Sequence, residues 1–513
     1  MRKTMKGMLL TLALASTTLG AMAAESPLKY PFYEVQVASE ESNLRNEMIV
    51  LNSGIASLQI RLDMIKRAKK SIEVEYFIYN QDQAGRILTQ ALVEAAKRGV
   101  KVRILVDKSV AVFALDNHIA KELKQYGVEL RFYNDASILK LSSMQFRSHR
   151  KLFVIDDVEA ITGGRNIGDD YFDLSEHFNF LDRDIFVKGS IVKGMRESFD
   201  KYFGHKITED PKAPTKPKTF KMAATNRHRR AALRRKYKAS VKSFKKAQEN
   251  AVSFLLQTDA DREMMRKVEA ISRPILDAKK LHDCPETTYA TDVEGARFSK
   301  RIKDNFSDKF RVLRKVLDVK IRDTKDSIVV SSPYFIHNND TEGLMDYLIK
   351  KDIDIEIYTN SLGSTDAVYV AANFYKDVFK WQAKGIVPYI HNGKWFPKHE
   401  TISEGVKTAK WGTHSKTQIY DNDEVMIGTY NVDNRSNYYN SEMALFCKGN
   451  KELTAEVSAS IEERSRFGYK ITGDNAAVDS NNLPADAYGD PTGKSKFIMK
   501  AIAIPSILLR DLL

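Results

Sequence analysis

The sequence predicts an α/β protein built from two similar halves, each with a mixed, mostly parallel sheet flanked by helices. A strand–helix–strand order occurs twice, and aromatic and glycine residues recur between the two copies at a constant spacing of 258 positions. A second group of polar residues recurs at a spacing of 265 positions. Two copies of one unit predict a pseudo-twofold arrangement with a shared site at the interface between the halves.

The first copy begins with Ser71–Phe77, SIEVEYF, which alternates apolar and polar residues as a strand does. Gln83–Lys97 then places its apolar residues on one helical face, and Gly99 ends that helix. Val100–Asp107, VKVRILVD, predicts a buried strand. This order of elements is typical of parallel α/β units.

The second copy repeats this order later in the chain. Ser327–Val330 predicts a strand, Gly343 opens a short predicted helix, and Ile353–Asn360 predicts the next strand. The tripeptide YFI at positions 334–336 repeats the YFI at positions 76–78. We therefore interpret the two regions as copies of one folding unit.

A polar pattern, HxKxxxxD followed by glycine and asparagine, comes after each copy. One occurrence could be accidental in a lysine-rich chain, but two at one offset, each behind a matching unit, indicate a functional site. The recurring residues are His149, Lys151, Asp156, Gly163 and Asn166 in the first half and His414, Lys416, Asp421, Gly428 and Asn431 in the second.

These motifs resemble those of the phospholipase D superfamily, and the resemblance runs from about Asn43 to Gly473 apart from a basic insert. Thr359–Asp366, TNSLGSTD, is similar to a segment of bacterial cardiolipin synthases. The resemblance implies a phosphodiesterase or phosphatidyltransferase that acts on anionic glycerophospholipids at a membrane. It also implies a reaction that passes through a phosphohistidine.

The residue types suit this chemistry on physical grounds. Alternate residues of a strand share one face, so each motif histidine projects beside its lysine. Two ammonium groups and two amide groups, from Lys151, Lys416, Asn166 and Asn431, can bind the phosphate oxygens without a metal ion or cofactor. One imidazole attacks phosphorus and the other protonates the leaving alkoxide. We assign His149 as the nucleophile, with His414 as the acid and base, and the reverse assignment stays open at this point.

Four carboxylates have predicted roles around the histidines. Asp156 and Asp421 belong to the motif set, but we expect them to hold turns rather than contact substrate. Aligning the halves on a shared Phe-x-Lys-Gly matches Asp182 with Glu442, where the family keeps an acid that orients histidine. Asp184 matches Ala444 and is a weaker candidate.

The net charge of +14 is concentrated in one segment. Residues 211–248 contain 14 Lys and Arg and no acid, and outside this segment residues 24–513 carry a net charge of −3. Residues 226–256 predict a basic helix behind a Pro-rich linker at 211–221. Such a helix can be a solvated surface or can dock on anionic lipid headgroups.

The N-terminus and the cysteines bear on location. Residues 1–23 have a basic start, a short apolar run and small residues, which predict a signal peptide and a periplasmic or secreted protein. The basic helix or the C-terminal tail would make this protein peripheral on a membrane. The cysteines are Cys284 and Cys447. An oxidising compartment would permit a disulfide between them, but we expect Cys447, in an apolar strand-like run, to be a buried free thiol.

The predicted division of the chain is a signal peptide at 1–23, repeats at 24–205 and 316–475, a basic insert and linker at 206–315, and a polar loop and apolar C-terminal helix at 476–513. We expect a monomer. Two other functions remain open at this point. A nuclease of the same superfamily would use the basic insert to bind nucleic acid, and a non-catalytic protein would bind anionic lipid only.

Overall fold

A computed structural model of the chain describes residues 45–108, 115–135, 145–218, 227–296, 310–336 and 338–508. The predicted signal peptide lies outside these residues. In chain order the strands are β1 (Asn46–Leu51), β2 (Ser71–Tyr76), β3 (Lys101–Asp107), β4 (Glu129–Tyr133), β5 (Leu152–Ile155), β6 (Glu159–Gly163), β7 (Phe178–Leu181), β8 (Asp184–Lys188), β9 (Thr208–Glu209), β10 (His282–Cys284), β11 (Glu286–Thr291), β12 (Ser327–Ser331), β13 (Asp354–Asn360), β14 (Val387–His391), β15 (Lys410–Thr413), β16 (Thr417–Tyr420), β17 (Glu424–Gly428), β18 (Met443–Lys448), β19 (Gly468–Gly473), β20 (Ala476–Val478) and β21 (Pro484–Asp486).

The α-helices alternate with these strands along the chain and flank the sheets. They are α1 (Gly54–Arg67), α2 (Gln83–Lys97), α3 (Asn117–Gln125), α4 (Ile191–Gly204), α5 (Arg227–Phe254), α6 (Asp259–Asp277), α7 (Val312–Asp323), α8 (Asn339–Lys350), α9 (Val368–Ala383), α10 (Glu404–Thr408), α11 (Lys451–Arg466) and α12 (Gly493–Leu508).

Two large sheets confirm the predicted two-part α/β fold. Within the described residues, the strand orders are β10-β1-β8-β6-β5-β2-β3-β4-β9 and β11-β18-β17-β16-β12-β13-β14-β19-β20-β21. In these sheets, parallel pairing is confined to β2-β3-β4 and β12-β13-β14. The prediction of mostly parallel sheets was therefore wrong. Hairpins such as β5-β6 and β16-β17 extend each sheet, and short hairpin loops allow only antiparallel pairing.

The repeated units form as predicted, with differences at the ends of elements. Helix α2 has the predicted bounds, whereas α8 begins at Asn339, so that Gly343 lies inside it and does not open it. The tail predicted as a polar loop contains β20 and β21, which extend the second sheet. The apolar helix α12 packs against α9. Among the described helices, none has both the length and the apolarity needed to cross a bilayer.

The basic insert is joined to both sheets. Its first helix, α5, confirms the helix predicted at 226–256. After α6, strand β10 pairs with β1 in the first sheet and β11 pairs with β18 in the second. The segment 206–315 is therefore part of the two-sheet framework as well as a connection between the repeats.

The inner faces of the two sheets share one apolar layer. Leu152 and Val154 of β5 are buried in it with Ile419 of β16, Ile427 of β17 and Leu445 of β18. This packing holds the halves face to face, because separating them would expose a continuous apolar surface to water. The ends of the two motif-bearing hairpins are thereby brought to one interface.

A disulfide bond joins Cys284 of β10 to Cys447 of β18, with the Cα atoms 5.7 Å apart. The prediction of a free thiol at Cys447 was wrong. The cysteines are 163 positions apart in the chain, and they meet because β10 and β11 are adjacent in the chain but pair with different sheets. The bond therefore links the first sheet covalently to the second.

Replacing both cysteines by alanine is expected to lower the free energy of unfolding by up to about 5 kcal/mol, because the bond restricts a long loop in the unfolded chain. Urea denaturation followed by tryptophan fluorescence measures the change. A reductant should destabilise the wild type similarly and leave the double variant unaffected. Equal stability of the oxidised wild type and the variant would contradict the prediction.

Candidate active site

Each motif histidine lies just before a hairpin and is held by backbone from the other half. The N–H of His149, which precedes β5, donates to the carbonyl of Ser441 at 3.0 Å. The N–H of His414, between β15 and β16, donates to the carbonyl of Leu181 at 2.9 Å. Because Ser441 and Leu181 each precede one of the predicted orienting acids, these contacts bring each acid to a histidine.

The two carboxylates contact the histidines crosswise. Nδ1 of His149 lies 2.9 Å from Oε2 of Glu442, and Nδ1 of His414 lies 2.5 Å from Oδ2 of Asp182. An ionised carboxylate can only accept a hydrogen bond, so each Nδ1 carries the hydrogen and each Nε2 keeps its lone pair. All four side chains are buried. Each half thus supplies the histidine of one pair and the acid of the other.

The surroundings of the two acids differ in a way that matches their lengths. Glu442 accepts hydrogen bonds from the hydroxyl groups of Thr429, at 2.5 Å, and Ser436, at 2.8 Å. In the first half Gly164 stands where Thr429 stands in the second, and a Cβ on Gly164 would lie 2.1 Å from Oδ1 of Asp182. Glycine therefore leaves room for the shorter acid, while threonine holds the longer one.

Sequence reasoning did not identify the hydroxyl groups of Thr429 and Ser436. The substitution of threonine for the second glycine of the repeat was a signal for Thr429, because the two halves differ there. For Ser436 we find no signal in the sequence, since it lies in an irregular helical turn after the motif.

The motif lysines are buried next to the histidines. Nζ of Lys151 donates to the carbonyl of His149 at 2.6 Å, and Nζ of Lys416 donates to the carbonyl of His414 at 2.5 Å. Nζ of Lys416 also lies 3.0 Å from Nε2 of His414. In contrast, Nε2 of His149 has no hydrogen-bond partner among the described residues. The lone pair on Nε2 of His149 is therefore more available to attack a substrate than the lone pair on Nε2 of His414.

The two asparagines are buried but make different contacts. Oδ1 of Asn166 accepts a hydrogen bond from the N–H of Ile78 at 3.1 Å, which fixes the orientation of its amide group. Oδ1 of Asn431 is buried and has no partner among the described residues. A buried amide oxygen without a partner is unfavourable. The Asn431 amide is therefore available to a ligand hydroxyl, or, after rotation of the group, to a phosphate oxygen.

Burial and like charges shift the pKa values of the cluster. Burial, together with the nearby ammonium groups, lowers the pKa of His149 to about 4 and that of His414 to about 3. Burial also lowers the pKa of Lys151 to about 7, with Lys416 adding to this effect, and the pKa of Lys416 to about 8. Both imidazoles are accordingly neutral near pH 7 when the site is empty.

The acids keep their charge in the same environment. Burial opposes ionisation of Asp182, but His414 and Lys416 outweigh it and hold the pKa at about 2. Burial likewise opposes ionisation of Glu442, and His149 with Lys151 keeps its pKa below the ordinary value. The cluster therefore combines two carboxylates, each on a histidine, with two lysines whose ammonium groups can attract a phosphodiester.

Asp156 and Asp421 lie at the other ends of the motif strands. The carboxylate of Asp156 accepts hydrogen bonds from three consecutive backbone N–H groups, at residues 69–71, and that of Asp421 does the same at residues 325–327. Both residues begin hairpin loops with positive φ angles, 53° and 52°. These contacts do not place the two acids beside the histidines, and they support the structural role.

Asp184, the weaker candidate for orienting a histidine, lies outside the cluster. Its carboxylate accepts hydrogen bonds from Arg61 at 2.9 Å and Ser57 at 2.7 Å. It therefore forms a buried ion pair that attaches α1 to β8. The alanine at the matching position 444 of the second half is buried in the core of that half.

Replacing Asp156 or Asp421 by asparagine is expected to lower the free energy of unfolding by about 1–2 kcal/mol and to leave kcat within about threefold of the wild type. Asparagine tolerates a positive φ, so the change removes mainly the charge that the backbone N–H groups contact. Chemical denaturation and turnover at a temperature well below the midpoint measure the two effects. A large loss of kcat in a folded variant would contradict the structural role.

The same two regions of the chain match a known protein family. The family described as "Cardiolipin synthase, PLD-like domain" matches residues 62–203 and 317–464. Cardiolipin synthase C of Escherichia coli (strain K12) is 26% identical over 409 residues, which cover 77% of this chain and 79% of that protein. An uncharacterized protein of Helicobacter pylori (strain ATCC 700392 / 26695) is 26% identical over 468 residues, covering 87% of this chain and 86% of that protein.

A solved structure supports the same fold. The phosphatidylserine synthase of Haemophilus influenzae Rd KW20 superposes with a TM-score of 0.59 at 14% identity, covering 92% of this chain and 98% of that one. The family matches contain both histidine motifs and cover more than half of the chain. The chain belongs to the cardiolipin synthase family of phospholipase-D-like enzymes.

Proposed function

We propose that the protein transfers a phosphatidyl group between glycerophospholipids, as a cardiolipin synthase does, through a phosphohistidine intermediate. The observation that carries this proposal is the crosswise arrangement of His149 with Glu442 and His414 with Asp182 around two buried lysines. A phosphodiester anion in this cluster would meet two ammonium groups and two oriented imidazoles. The relatives named cardiolipin synthase support a lipid as the substrate.

In the first step Nε2 of His149 attacks phosphorus, and the bond between phosphorus and the headgroup oxygen breaks. His414, protonated, gives its proton to the leaving alkoxide, and phosphatidyl-His149 and a free alcohol result. The lone pair of His149 supports this assignment, because its Nε2 lacks a partner among the described residues whereas Nε2 of His414 contacts Lys416.

In the second step a hydroxyl group of a second lipid gives its proton to His414 and attacks phosphorus. The phosphorus–nitrogen bond breaks, which regenerates His149 and releases the new phosphodiester. With phosphatidylglycerol as donor and acceptor, the products are one cardiolipin and one glycerol. Water in place of the second lipid would produce phosphatidic acid.

Substrate binding must also protonate one imidazole. The low pKa of His414 belongs to the empty site, where two ammonium groups and burial disfavour another positive charge. A bound phosphodiester adds a negative charge and raises the pKa of the nearby imidazoles. We therefore propose that the substrate brings about the protonation of the general acid.

The value of kcat/KM should depend on pH through the two lysines. Lys151 and Lys416 are charged below their pKa values of about 7 and about 8 and lose their charge as the pH rises through them. Because an imidazole of low pKa must also take up a proton, we expect kcat/KM to fall as the pH rises from 5 and to fall more steeply above pH 7, by about a further tenfold per pH unit for each lysine that must be charged. Initial rates between pH 5 and pH 9 measure this. A profile that rises up to pH 9 would contradict it.

Product analysis with defined lipids tests the proposed function. Purified protein is incubated with phosphatidylglycerol vesicles, and mass spectrometry quantifies cardiolipin, glycerol and phosphatidic acid. Equal amounts of cardiolipin and glycerol are expected. Phosphatidic acid alone would show hydrolysis, and cleavage of DNA in a parallel reaction without any lipid product would show a nuclease instead.

For location we propose the periplasm or the exterior of the cell, with the protein peripheral on a membrane. The signal peptide predicted at 1–23 is one support. The disulfide between Cys284 and Cys447 is another, because such bonds form and persist in oxidising compartments.

A further inference from the structure

We infer that helix α5 is a docking element for a membrane surface rich in anionic lipid. Most of the Lys and Arg side chains on this helix are exposed, and at 100° per residue six of them fall within a sector of about 120° around its axis. We call this sector the basic stripe. Its members are Arg234, Arg235, Lys238, Lys242, Lys245 and Lys246.

The opposite face of α5 is seated on the protein, which turns the basic stripe outwards. The ring of Phe244 contacts the ring of His118 in α3, with their centroids 5.0 Å apart. Ala251 and Phe254 are buried in the apolar layer that covers the first sheet. Since one face is held by these contacts, the stripe faces away from the folded core.

The charges of the stripe are not neutralised within the described part of the chain. No carboxylate there forms an ion pair with any of the six groups, although Arg262 and Arg266 on the next helix, α6, pair with Asp259 and Glu263. The sequence from 211 to 248 contains no acid, and α5 as a whole contains one, the exposed Glu249 near its C-terminal end. A fixed array of like charges without internal partners is complementary to an external polyanion.

The position of α5 favours a surface on the side of the active site. Its end lies at the middle of α2, where Gln90 donates to the carbonyl of Leu256, and Phe244 lies at the first turn of α3. Helix α3 begins near the edge at which the parallel strands end, which is also the edge of the histidine cluster. The part of α5 that precedes Phe244 is about 25 Å long.

We infer that the basic stripe binds lipid and not nucleic acid, and this choice rests on the proposed function. Residues 24–513 without the segment 211–248 have a net charge of −3, which would repel a long nucleic acid that extended beyond the helix. A membrane needs to contact the stripe alone. A lysine or arginine near an anionic surface contributes attraction that salt weakens.

The test compares two full-length variants with equal changes in charge. In the first, Lys238, Lys242, Lys245 and Lys246 are replaced by glutamine. In the control, four exposed lysines elsewhere, Lys193, Lys201, Lys350 and Lys376, are replaced in the same way. Thermal melts establish that both fold. Flotation with vesicles of phosphatidylglycerol and phosphatidylcholine, or of phosphatidylcholine alone, measures binding at several salt concentrations.

We expect the wild type and the control to float with the anionic vesicles, and the stripe variant to partition less by a factor on the order of 100. Equal partitioning of the two variants, or equal binding of the wild type to vesicles without anionic lipid, would overturn the inference. Tight binding of the wild type to a DNA duplex without vesicle binding would overturn it in favour of nucleic acid.

Turnover of a monomeric short-chain phosphatidylglycerol distinguishes the docking of α5 on a membrane from the proposed lipid transfer, because a monomeric substrate requires no docking. The stripe variant should keep wild-type turnover of the monomeric lipid and lose turnover of vesicles. If no protein turns over any lipid, the proposed function fails, whereas the flotation result still decides whether α5 docks on anionic membranes.

Discussion

Replacing His149 or His414 by asparagine is expected to lower kcat for lipid transfer by a factor of at least about 10⁴, because each variant lacks either the nucleophile or the proton carrier. Both residues are buried at the interface of the halves, and asparagine retains polarity there. Initial rates of cardiolipin formation measure the loss, and circular dichroism with thermal melts establishes that the variants fold.

A substrate with an activated leaving group distinguishes the two histidines. A p-nitrophenyl phosphodiester needs little help from an acid, so the His414→Asn variant should release nitrophenol in a burst and stall as a phosphorylated protein. Peptide mass spectrometry should locate the phosphoryl group on His149. The His149→Asn variant should show neither burst nor label. Label on His414 in the His149→Asn variant would reverse the assignment.

Replacing Glu442 by glutamine, or Asp182 by asparagine, should lower kcat by a factor of about 10³ to 10⁴ although neither group touches the phosphate. An amide can donate to Nδ1 and favour the wrong tautomer, which would place the hydrogen on Nε2 and remove its lone pair. The two variants should therefore lose lipid transfer for different reasons. Glu442→Gln should impair the nucleophile, and Asp182→Asn should impair the proton carrier.

The activated substrate also tests this distinction. Asp182→Asn should still produce a burst, because His149 and Glu442 are intact, whereas Glu442→Gln should not. Thr429→Val, which removes one hydroxyl contact to Glu442 at similar volume, should have a smaller effect of about tenfold. Wild-type rates in Glu442→Gln would exclude the orienting role.

The sequence predicted the repeated units well because periodicity reports the burial of local segments. Helix α2 and the strand β13 followed from apolar residues at regular spacing. The pairing direction of the outer strands did not follow, since it depends on which strands become neighbours after hairpins form. The disulfide was missed for the same reason, because Cys284 and Cys447 meet only when β10 and β18 lie in facing sheets.

At the site, internal duplication was the informative signal. It nominated Asp182 and Glu442 from one alignment of the halves, and the structure places each against a histidine. The crosswise pairing could not be predicted from the alignment, because identical halves do not reveal which copy contacts which. Ser436 could not be predicted at all. It lies in an irregular turn, which no periodic sequence pattern indicates, and its hydroxyl donates to Glu442.

Each half supplies the acid that contacts the histidine of the other half, so the two halves of this single polypeptide depend on each other as the subunits of a heterodimer do. An isolated half would contain an imidazole and a carboxylate that belong to different dyads, so neither dyad could assemble within it. Selection on either half therefore acts on the chemistry of the other. A small rigid-body opening at the interface would disable both dyads together while each sheet stayed intact.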